Sequence, residues 1–542
     1  MADNSPQIFE RSRQSAQNVR RAHRAGVTYR ENSMPLDPNR PDLLLGVIGT
    51  GAMGRGIVQV AAAGGINVLM TDARPGAAQE ARDFIAKMIA RAAEKGSMSR
   101  DEADAAVARI KIVDKLSDVK PCHVVVEAIV ENLDAKRQLF GELEEIVGPE
   151  CILATNTSSL SVTTIAAKLR TPQRFAGLHF FNPVPLMKLV EVIDGLQTEN
   201  WVSQALMVIG KRMTREPVRL TDAPGFLVNQ VGRGFTLEAA HLVQEGIASF
   251  ADVDRVMRDV GGFRMGPFEL MELTGLDVTQ PASELIYNQF FQEPRYRPNL
   301  IMRARYEAGV LGRKTKKGFY DYDAEMKAIV PLESAPPADK PATVWVSRAD
   351  EQGHDILTTL LNKLGASIET GAIPSANALT LLTPIGEDAT SCATEQGLDP
   401  KRTVAVDTLF PMVKRRTIMA TPITDPAYRR AAHGLLASDG VPVTVCRDSP
   451  GFIAQRIVAM IVNIGCSIAQ SRTADPADID KAVTLGLNYP NGPFRFGDVL
   501  GPKRVHQVLS AMYRVYGDPR YRPNIWLTRR AALNVSLLTP EP

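Results

Sequence analysis

The chain has 542 residues, 44% hydrophobic and 23% charged, which is ordinary globular usage, excludes wholesale disorder and predicts three to five domains. Lys and Arg total 63 against 60 Asp and Glu, a formal charge of +3 that is too even for a dedicated nucleic-acid binder, and no nucleic-acid motif occurs. Five cysteines without CxxC spacing argue against a disulfide framework or a metal site, and no run reaches the ~18 apolar residues of a membrane span, so a reducing, cytoplasmic setting is expected.

Residues 1–40 hold seven arginines, no lysine and four acids (Asp3, Glu10, Glu31 and Asp37). They predict a mobile basic tail, ended where Pro35, Pro38 and Pro41 stop any helix. An organellar presequence is the other reading of this composition. With no apolar h-region the segment does not read as a secretory signal.

From residue 41 the pattern changes. The run 43–48 is apolar and short, as a fully buried parallel strand requires. Gly49-Thr50-Gly51-Ala52-Met53-Gly54 follows, then a helical stretch over 55–63, then a strand over 67–71 that ends at Asp72. A GxGxxG is weak evidence alone, but strand, glycine turn, helix, strand and acid in this order form a dinucleotide fingerprint. Gly49 permits the tight turn, Gly51 gives the backbone access to a pyrophosphate, and Gly54 allows close helix–strand packing. Met53 sits in the same turn and is expected on the cofactor with them. Asp72 suits a ribose 2′-hydroxyl and repels a 2′-phosphate, which favours NAD over NADP, although Arg74 lies two residues on.

A helix over 77–94, strands over 110–113 and 124–126, a helix over 133–147 and a strand over 152–155 continue the alternation. They predict a doubly wound parallel sheet of Rossmann type. Ligands in such sheets bind beyond the strand carboxyl ends, which puts 127–131 and 156–159 on the functional rim. His179 and Glu191 then appear in two extended apolar runs, where an ionised carboxylate is costly unless compensated. A carboxylate beside an imidazole fixes its tautomer and stabilises its protonated form. Next to a nicotinamide, that arrangement suits removal of a hydroxyl proton as hydride leaves the carbinol carbon.

The segments GVIGTGAMGRGI, VVEAIVENLDAK, NTSSLSVTTIA, RFAGLHFFNPVPLMKLVEVI and APGFLVNQ, in that order, resemble the L-3-hydroxyacyl-CoA dehydrogenase family over about residues 44–322. The resemblance implies NAD as cofactor and an acyl-CoA as substrate. It makes His179 the general base, Glu191 its carboxylate partner, Ser158 a hydrogen-bond partner of the substrate oxygen, and Asn229 a residue that helps fix the substrate and the histidine. Glu131, Lys136 and Lys314, with Ser158, fall where the family contacts the cofactor. Lys95 is a looser match to a coenzyme A phosphate contact. Short acyl chains, such as 3-hydroxybutyryl-CoA or 3-hydroxyadipyl-CoA in fatty-acid or aromatic-acid degradation, are expected. A dehydrogenase of a free hydroxy or sugar acid such as L-gulonate, and a non-catalytic NAD-binding structural protein, are the alternatives.

The rest of the chain repeats the front. Asp222-Ala223-Pro224-Gly225-Phe226 recurs as Asp448-Ser449-Pro450-Gly451-Phe452, Asp252-Val253-Asp254 as Asp478-Ile479-Asp480, and Gly266-Pro267-Phe268 as Gly492-Pro493-Phe494, each 226 residues on. Short strands near 343–347, 378–382, 403–406 and 417–420 suggest a reduced second α/β domain. Its first strand is followed by 348–353, without a glycine pair. Laying 416–421 over 174–179 puts Thr421 at the histidine position, and Gln455 stands for Asn229. This half is therefore expected neither to bind NAD nor to catalyse.

The predicted organisation is a tail (1–40), a Rossmann domain (41–221), a helical domain (222–326), a linker (327–342), a degenerate Rossmann-like domain (343–446) and a second helical domain (447–542). The two helical domains are expected to pack on one another within the chain, and a homodimer is a further possibility.

Overall fold

The computed structural model describes residues 34–541. Most of the expected tail lies outside the described residues. Its last residues, 34–40, are tied down: Leu36 is buried, and Arg212 donates to the carbonyls of Pro38 (2.6 Å) and Arg40 (3.0 Å). The tail boundary at residue 40 is thus too late.

Eight strands form the first sheet: β1 (Leu44–Ile48), β2 (Asn67–Thr71), β3 (Ile110–Ile112), β4 (Val124–Glu127), β5 (Ile152–Thr155), β6 (Phe175–Phe180), β7 (Leu189–Asp194) and β8 (Glu216–Thr221). Their order is β3-β2-β1-β4-β5-β6-β7-β8. The chain reverses between β1 and β4, and the crevice over that point receives the ligand in such folds. The strands from β1 to β6 pair in parallel, as the alternation of strands and helices predicts, and the sheet departs from that only at its far edge. β7 runs antiparallel to β6, with His179 directly opposite Glu191, and β8 is parallel to β7. The short 181–188 connection holds no crossover helix, and only an antiparallel neighbour can be reached without one.

The helix after β1 begins at Ala52, immediately beyond Gly51, so its free amides meet the glycine turn. A helix over Arg100–Ala108 was not anticipated. Its capping box, Ser99 with Glu102, is nonetheless written in the sequence.

The helical region that follows comprises Val228–Gln244, Phe250–Asp259, Pro267–Thr274, Leu276–Gln289 and Leu300–Glu307. A hairpin of β9 (Asp321–Tyr322) and β10 (Ala328–Ile329) crosses the boundary expected at 326/327. The early part of the expected linker is therefore paired chain.

The second sheet has five strands in the order β11 (Val344–Val346), β12 (Leu379–Leu382), β13 (Thr403–Val406), β14 (Arg416–Ala420) and β15 (Val443–Arg447). β13 and β14 are antiparallel, and β15 is parallel to β14. That signature matches β6, β7 and β8, so β14 corresponds to β7 and not to β6. The overlay that set Thr421 against His179 is corrected by register. Pairing of Val404 with Ala420 mirrors Ala176 with Asp194, which brings Asp407 to the histidine position and Thr417 to that of Glu191. Counting back the same way, β11 takes the place of β4. The segment 348–353 is therefore not a worn glycine turn, because the whole β1–β3 unit has no counterpart in the second sheet.

The second helical region repeats the first as Ala454–Gln470, Pro476–Leu487, Pro493–Leu500, Pro502–Tyr516 and Ile525–Leu533. The repeated motifs have a common physical cause. Asp254 accepts from the amides of Phe268 (2.8 Å) and Glu269 (3.1 Å), and Asp480 from those of Phe494 (2.8 Å) and Arg495 (2.9 Å). Each aspartate caps the helix that opens at Gly-Pro-Phe. A Cβ on Gly266 or Gly492 would fall 2.2 or 2.3 Å from an atom of that aspartate.

The Val228–Gln244 and Ala454–Gln470 helices cross closely at Gly234, where a Cβ would stand 3.1 Å from the Ile461 backbone. Two backbone bonds at this junction are reciprocal: Thr221 donates to Thr473 and Arg447 to Ile247, both at 2.9 Å. Such an exchange of equivalent positions is the mark of a two-fold relation. Arg456, fully buried, reaches Glu238 and binds Glu245 at 2.8 Å. One apolar core runs from beneath the first sheet through both helical regions to the second sheet.

Candidate active site

The carboxyl ends of β1, β2, β4 and β5 converge on one rim. Gly49 has φ +92°, and a Cβ there would lie 2.6 Å from the Ala128 carbonyl; one on Gly54 would lie 1.8 Å from the Gly49 carbonyl. Gly51 faces open space, with nothing within 4 Å of its Cβ position. The turn is therefore packed against protein on two sides and open where a pyrophosphate meets a helix N-terminus. Asp72 accepts from the Thr50 amide (2.6 Å), the Thr50 hydroxyl (2.8 Å) and the Arg74 amide (2.9 Å). Burial pushes this carboxyl up, but the Arg74 and Thr50 donors outweigh it and hold it below its ordinary pKa. The Arg74 guanidinium is engaged with Glu80 at 2.6 Å. These residues fit a dinucleotide with a free ribose hydroxyl.

Next to this rim, between the first sheet and the helical region, lies a cavity of about 470 Å³. Met53, Glu131, Lys136, Ser158, His179 and Asn229 all line it. His179 Nδ1 is 2.7 Å from Glu191 Oε2. The other carboxylate oxygen accepts from the amides of Leu227 (3.2 Å) and Val228 (3.0 Å), which open the Val228–Gln244 helix. Glu191 is wholly buried, and these three bonds, with the positive end of a helix, are what make its charge tolerable there. An ionised carboxylate only accepts, so Nδ1 carries the proton and Nε2 is left with its lone pair. Phe181 and Phe226 pack beside the ring, at centroid distances of 4.5 and 5.6 Å. Asn229 is in the first turn of the same helix, so one helix start fixes both Glu191 and Asn229.

The 156–159 loop is held from behind. Glu131 Oε1 accepts from the Thr157 hydroxyl (2.6 Å), the amides of Ser158 and Ser159 (3.0 Å each) and the Ser159 hydroxyl (2.8 Å). Burial raises the Glu131 carboxyl, but these donors and Lys136 more than reverse it and keep it ionised. Lys136 lies 2.5 Å from Glu127 and 3.4 Å from Glu131, almost entirely buried. Glu127 also accepts from Thr155 at 2.7 Å. Glu131 and Lys136 therefore brace the loop that presents Ser158, whose own side chain is exposed at the rim.

Lys314 and Lys95, also anticipated, belong neither to the glycine turn nor to the cavity lining. Lys314 is paired with Asp277 at 2.6 and 2.7 Å. Lys95 is exposed at the end of the Ala77–Glu94 helix. Asn156, on the rim the sequence predicts, accepts from the Phe180 amide at 2.8 Å, while Arg233 and Leu487 of the second half are among the lining residues that escaped the sequence reading. Arg233 is four residues after Asn229 and so on the same helix face, a signal that was present. Nothing local to Leu487 could have announced it. Among the described residues no cluster of acids, histidines or cysteines is arranged to hold a metal ion, and no helix is long and apolar enough to cross a membrane.

Comparison with known proteins agrees with this geometry. Residues 44–223 match the 3-hydroxyacyl-CoA dehydrogenase NAD-binding domain, and residues 225–322 and 451–536 each match the C-terminal domain of the same family. The chain is 36% identical over 488 residues to the 3-hydroxyadipyl-CoA dehydrogenase of Escherichia coli K12, covering 90% of this chain and 97% of that one. It is 41% identical over 277 residues to a probable 3-hydroxybutyryl-CoA dehydrogenase of Bacillus subtilis, covering 51% of this chain and 96% of the other. A crystal structure of 3-hydroxybutyryl-CoA dehydrogenase from Escherichia coli K12 superposes with a TM-score of 0.80 at 34% identity, covering 91% and 99% of the two chains. The chain belongs to the 3-hydroxyacyl-CoA dehydrogenase family and is an NAD-dependent oxidoreductase of 3-hydroxyacyl-CoA thioesters.

Proposed function

We propose that His179 is the general base of this reaction, that Glu191 orients it, and that Ser158 and Asn229 hold the substrate oxygen. The observation that carries this reading is the Glu191 carboxylate, shared between His179 Nδ1 and the amides of Leu227 and Val228. That arrangement fixes the ring, directs Nε2 to the cavity, and stabilises the imidazolium formed when Nε2 takes the hydroxyl proton. NAD, when bound, supplies the hydride acceptor. Gly49, Gly51, Met53, Gly54 and Asp72 would hold it over the β1–β4 crevice. Glu131 and Lys136 would act behind the loop rather than as long-reach contacts. Lys314 reaches the cofactor only by giving up Asp277, and Lys95 remains a candidate for coenzyme A phosphates.

The acyl chain is short on this reading, as in 3-hydroxybutyryl-CoA or 3-hydroxyadipyl-CoA, and the setting is cytoplasmic degradation of fatty or aromatic acids. The second half would serve as a built-in partner: the reciprocal Thr221–Thr473 and Arg447–Ile247 bonds support an interface of the kind two separate chains would make. The deciding experiment is NADH formation with 3-hydroxybutyryl-CoA, 3-hydroxyadipyl-CoA and free L-gulonate. Turnover of the thioesters alone is expected. Turnover of gulonate alone would overturn the assignment, and NAD binding without any turnover would point to a non-catalytic protein.

A further inference from the structure

The cavity beside His179 also carries a cation that the chemistry above does not use. Arg233 lies one helical turn, about 6 Å of rise, beyond Asn229, and both line the cavity. Its Nη1 donates to the Ser283 hydroxyl (2.7 Å) and the Thr279 carbonyl (3.3 Å). Its Nε is buried without a partner. Among the described residues no carboxylate lies within 4.0 Å of its guanidinium, unlike the other lining cation, Lys136, which has two. Burial pulls Arg233 down to about 10, so it remains charged at neutral pH.

The wall around it offers little compensation. Val278, Ala282, Ile286 and, from the second half, Leu487 are apolar. Tyr489, two residues past Leu487, is buried with its hydroxyl unpartnered. A half-satisfied cation in an apolar wall is costly to stability and persists where a ligand completes it.

We infer that Arg233 receives a carboxylate at the far end of the acyl chain, so that the preferred substrate is the 3-hydroxyacyl thioester of a dicarboxylic acid. This rests on the reading of His179, Ser158 and Asn229 as the site of reaction. With the C3 oxygen held near Asn229, three further C–C bonds of about 1.5 Å each carry a six-carbon chain about 4 Å onward. A charge-assisted bond of about 2.8 Å then spans the remaining distance to a guanidinium one turn away. A methyl group at the same place would shield the cation from water and give it nothing in return. The inactive half takes part by closing this end of the cavity with Leu487.

The test compares 3-hydroxyadipyl-CoA with 3-hydroxyhexanoyl-CoA, which have equal carbon counts and differ in carboxylate against methyl, as substrates of the intact enzyme. The parent enzyme is expected to favour the adipyl thioester in kcat/KM by on the order of 10²-fold, about what one charge-assisted hydrogen bond contributes. Arg233→Met should abolish that preference by losing the adipyl activity, and Arg233→Lys should keep part of it. Equal kcat/KM for the two thioesters in the parent enzyme overturns the inference even if neither variant folds. So does a preference unchanged in Arg233→Met, or an equal rise in KM for both substrates, which would place the guanidinium on the coenzyme A or cofactor portion they share. Turnover of hexanoyl but not adipyl thioester overturns this inference and leaves the site reading intact. Turnover of neither overturns both.

Discussion

The two halves of the molecule answer the same structural problem with different side chains at the same three places. In the first half, register sets His179 opposite Glu191, with Asn229 opening the next helix. In the second, the equivalent positions hold Asp407, Thr417 and Gln455. Gln455 Nε2 donates to Asp407 Oδ1 at 2.8 Å, and its Oε1 accepts from the Gly386 amide at 2.8 Å. The carboxylate–imidazole pair that opens onto a cavity has been replaced by a closed amide–carboxyl contact. Asp407 is buried, and its carboxyl is pushed up to about 6 chiefly by burial, with the Gln455 bond resisting. The absence of β1–β3 equivalents removes the glycine turn and the ribose acid together. What survives duplication is the helix-capping pair, Asp254 with Gly266 and Asp480 with Gly492, and the helix that faces its copy. Packing has been kept in both halves, and the carboxylate–imidazole pair in one.

That contrast can be broken at several points. The largest effect is expected at the dyad: His179→Gln should lower kcat/KM by on the order of 10²–10⁴-fold with NAD binding retained, while Asp407→Asn leaves activity unchanged. Steady-state rates and cofactor titration of both variants check this, and full activity in His179→Gln would sink the mechanism. Next is the bond between halves. Arg456→Met strands Glu238 without its nearest cation and should cost about 3–5 kcal/mol in denaturant unfolding. Arg520, 3.7 Å away, favours the lower end of that range. A variant as stable as the parent would show that this buried ion pair adds nothing to the hold between the halves.

A smaller effect concerns pH. Asp407 is higher in the folded protein, about 6, than its ordinary 3.8. The folded state therefore binds the extra proton between those values, and stability falls as pH rises through that window. Asp254 and Asp480, also raised, slope the same way, so the measurement is the difference between Asp407→Asn and parent. The variant should gain about 1–3 kcal/mol relative to parent between about pH 4 and pH 7, and level off above. A flat difference would mean that Asp407 is not the titrating group. The smallest effect is expected at Lys314→Ala, which loses a half-exposed pair with Asp277 and should cost less than about 1 kcal/mol. A marked rise in the KM for NAD would instead show that this lysine turns to the cofactor.

Much of the first half was legible because its signals are local. The glycine turn, the buried apolar strands and the acid at the end of β2 each follow from backbone geometry within about 30 residues of chain. His179 and Glu191 drew notice through the cost of polar groups in apolar runs. Their partnership was not legible, because the antiparallel turn between β6 and β7 decides which residues face each other. The second half misled for the same reason. A likeness between 416–421 and 174–179 is a likeness of strands, and strands resemble one another regardless of position. Only hydrogen-bond register showed that β14 stands where β7 does, and moved the histidine position from Thr421 to Asp407.

The sequence by itself determined a dinucleotide fold and a duplicated helical region, since both are written in periodicity and short motifs. Tertiary structure alone decided that one helix start would hold both Glu191 and Asn229, that Glu131 would serve as a brace, and that Leu487 would line the same cavity as His179, about 300 residues earlier in the chain. Buried charge explains the division. A motif records which side chains the chemistry requires, but the low-dielectric interior tolerates Glu191 and Arg456 only through partners brought from elsewhere in the fold.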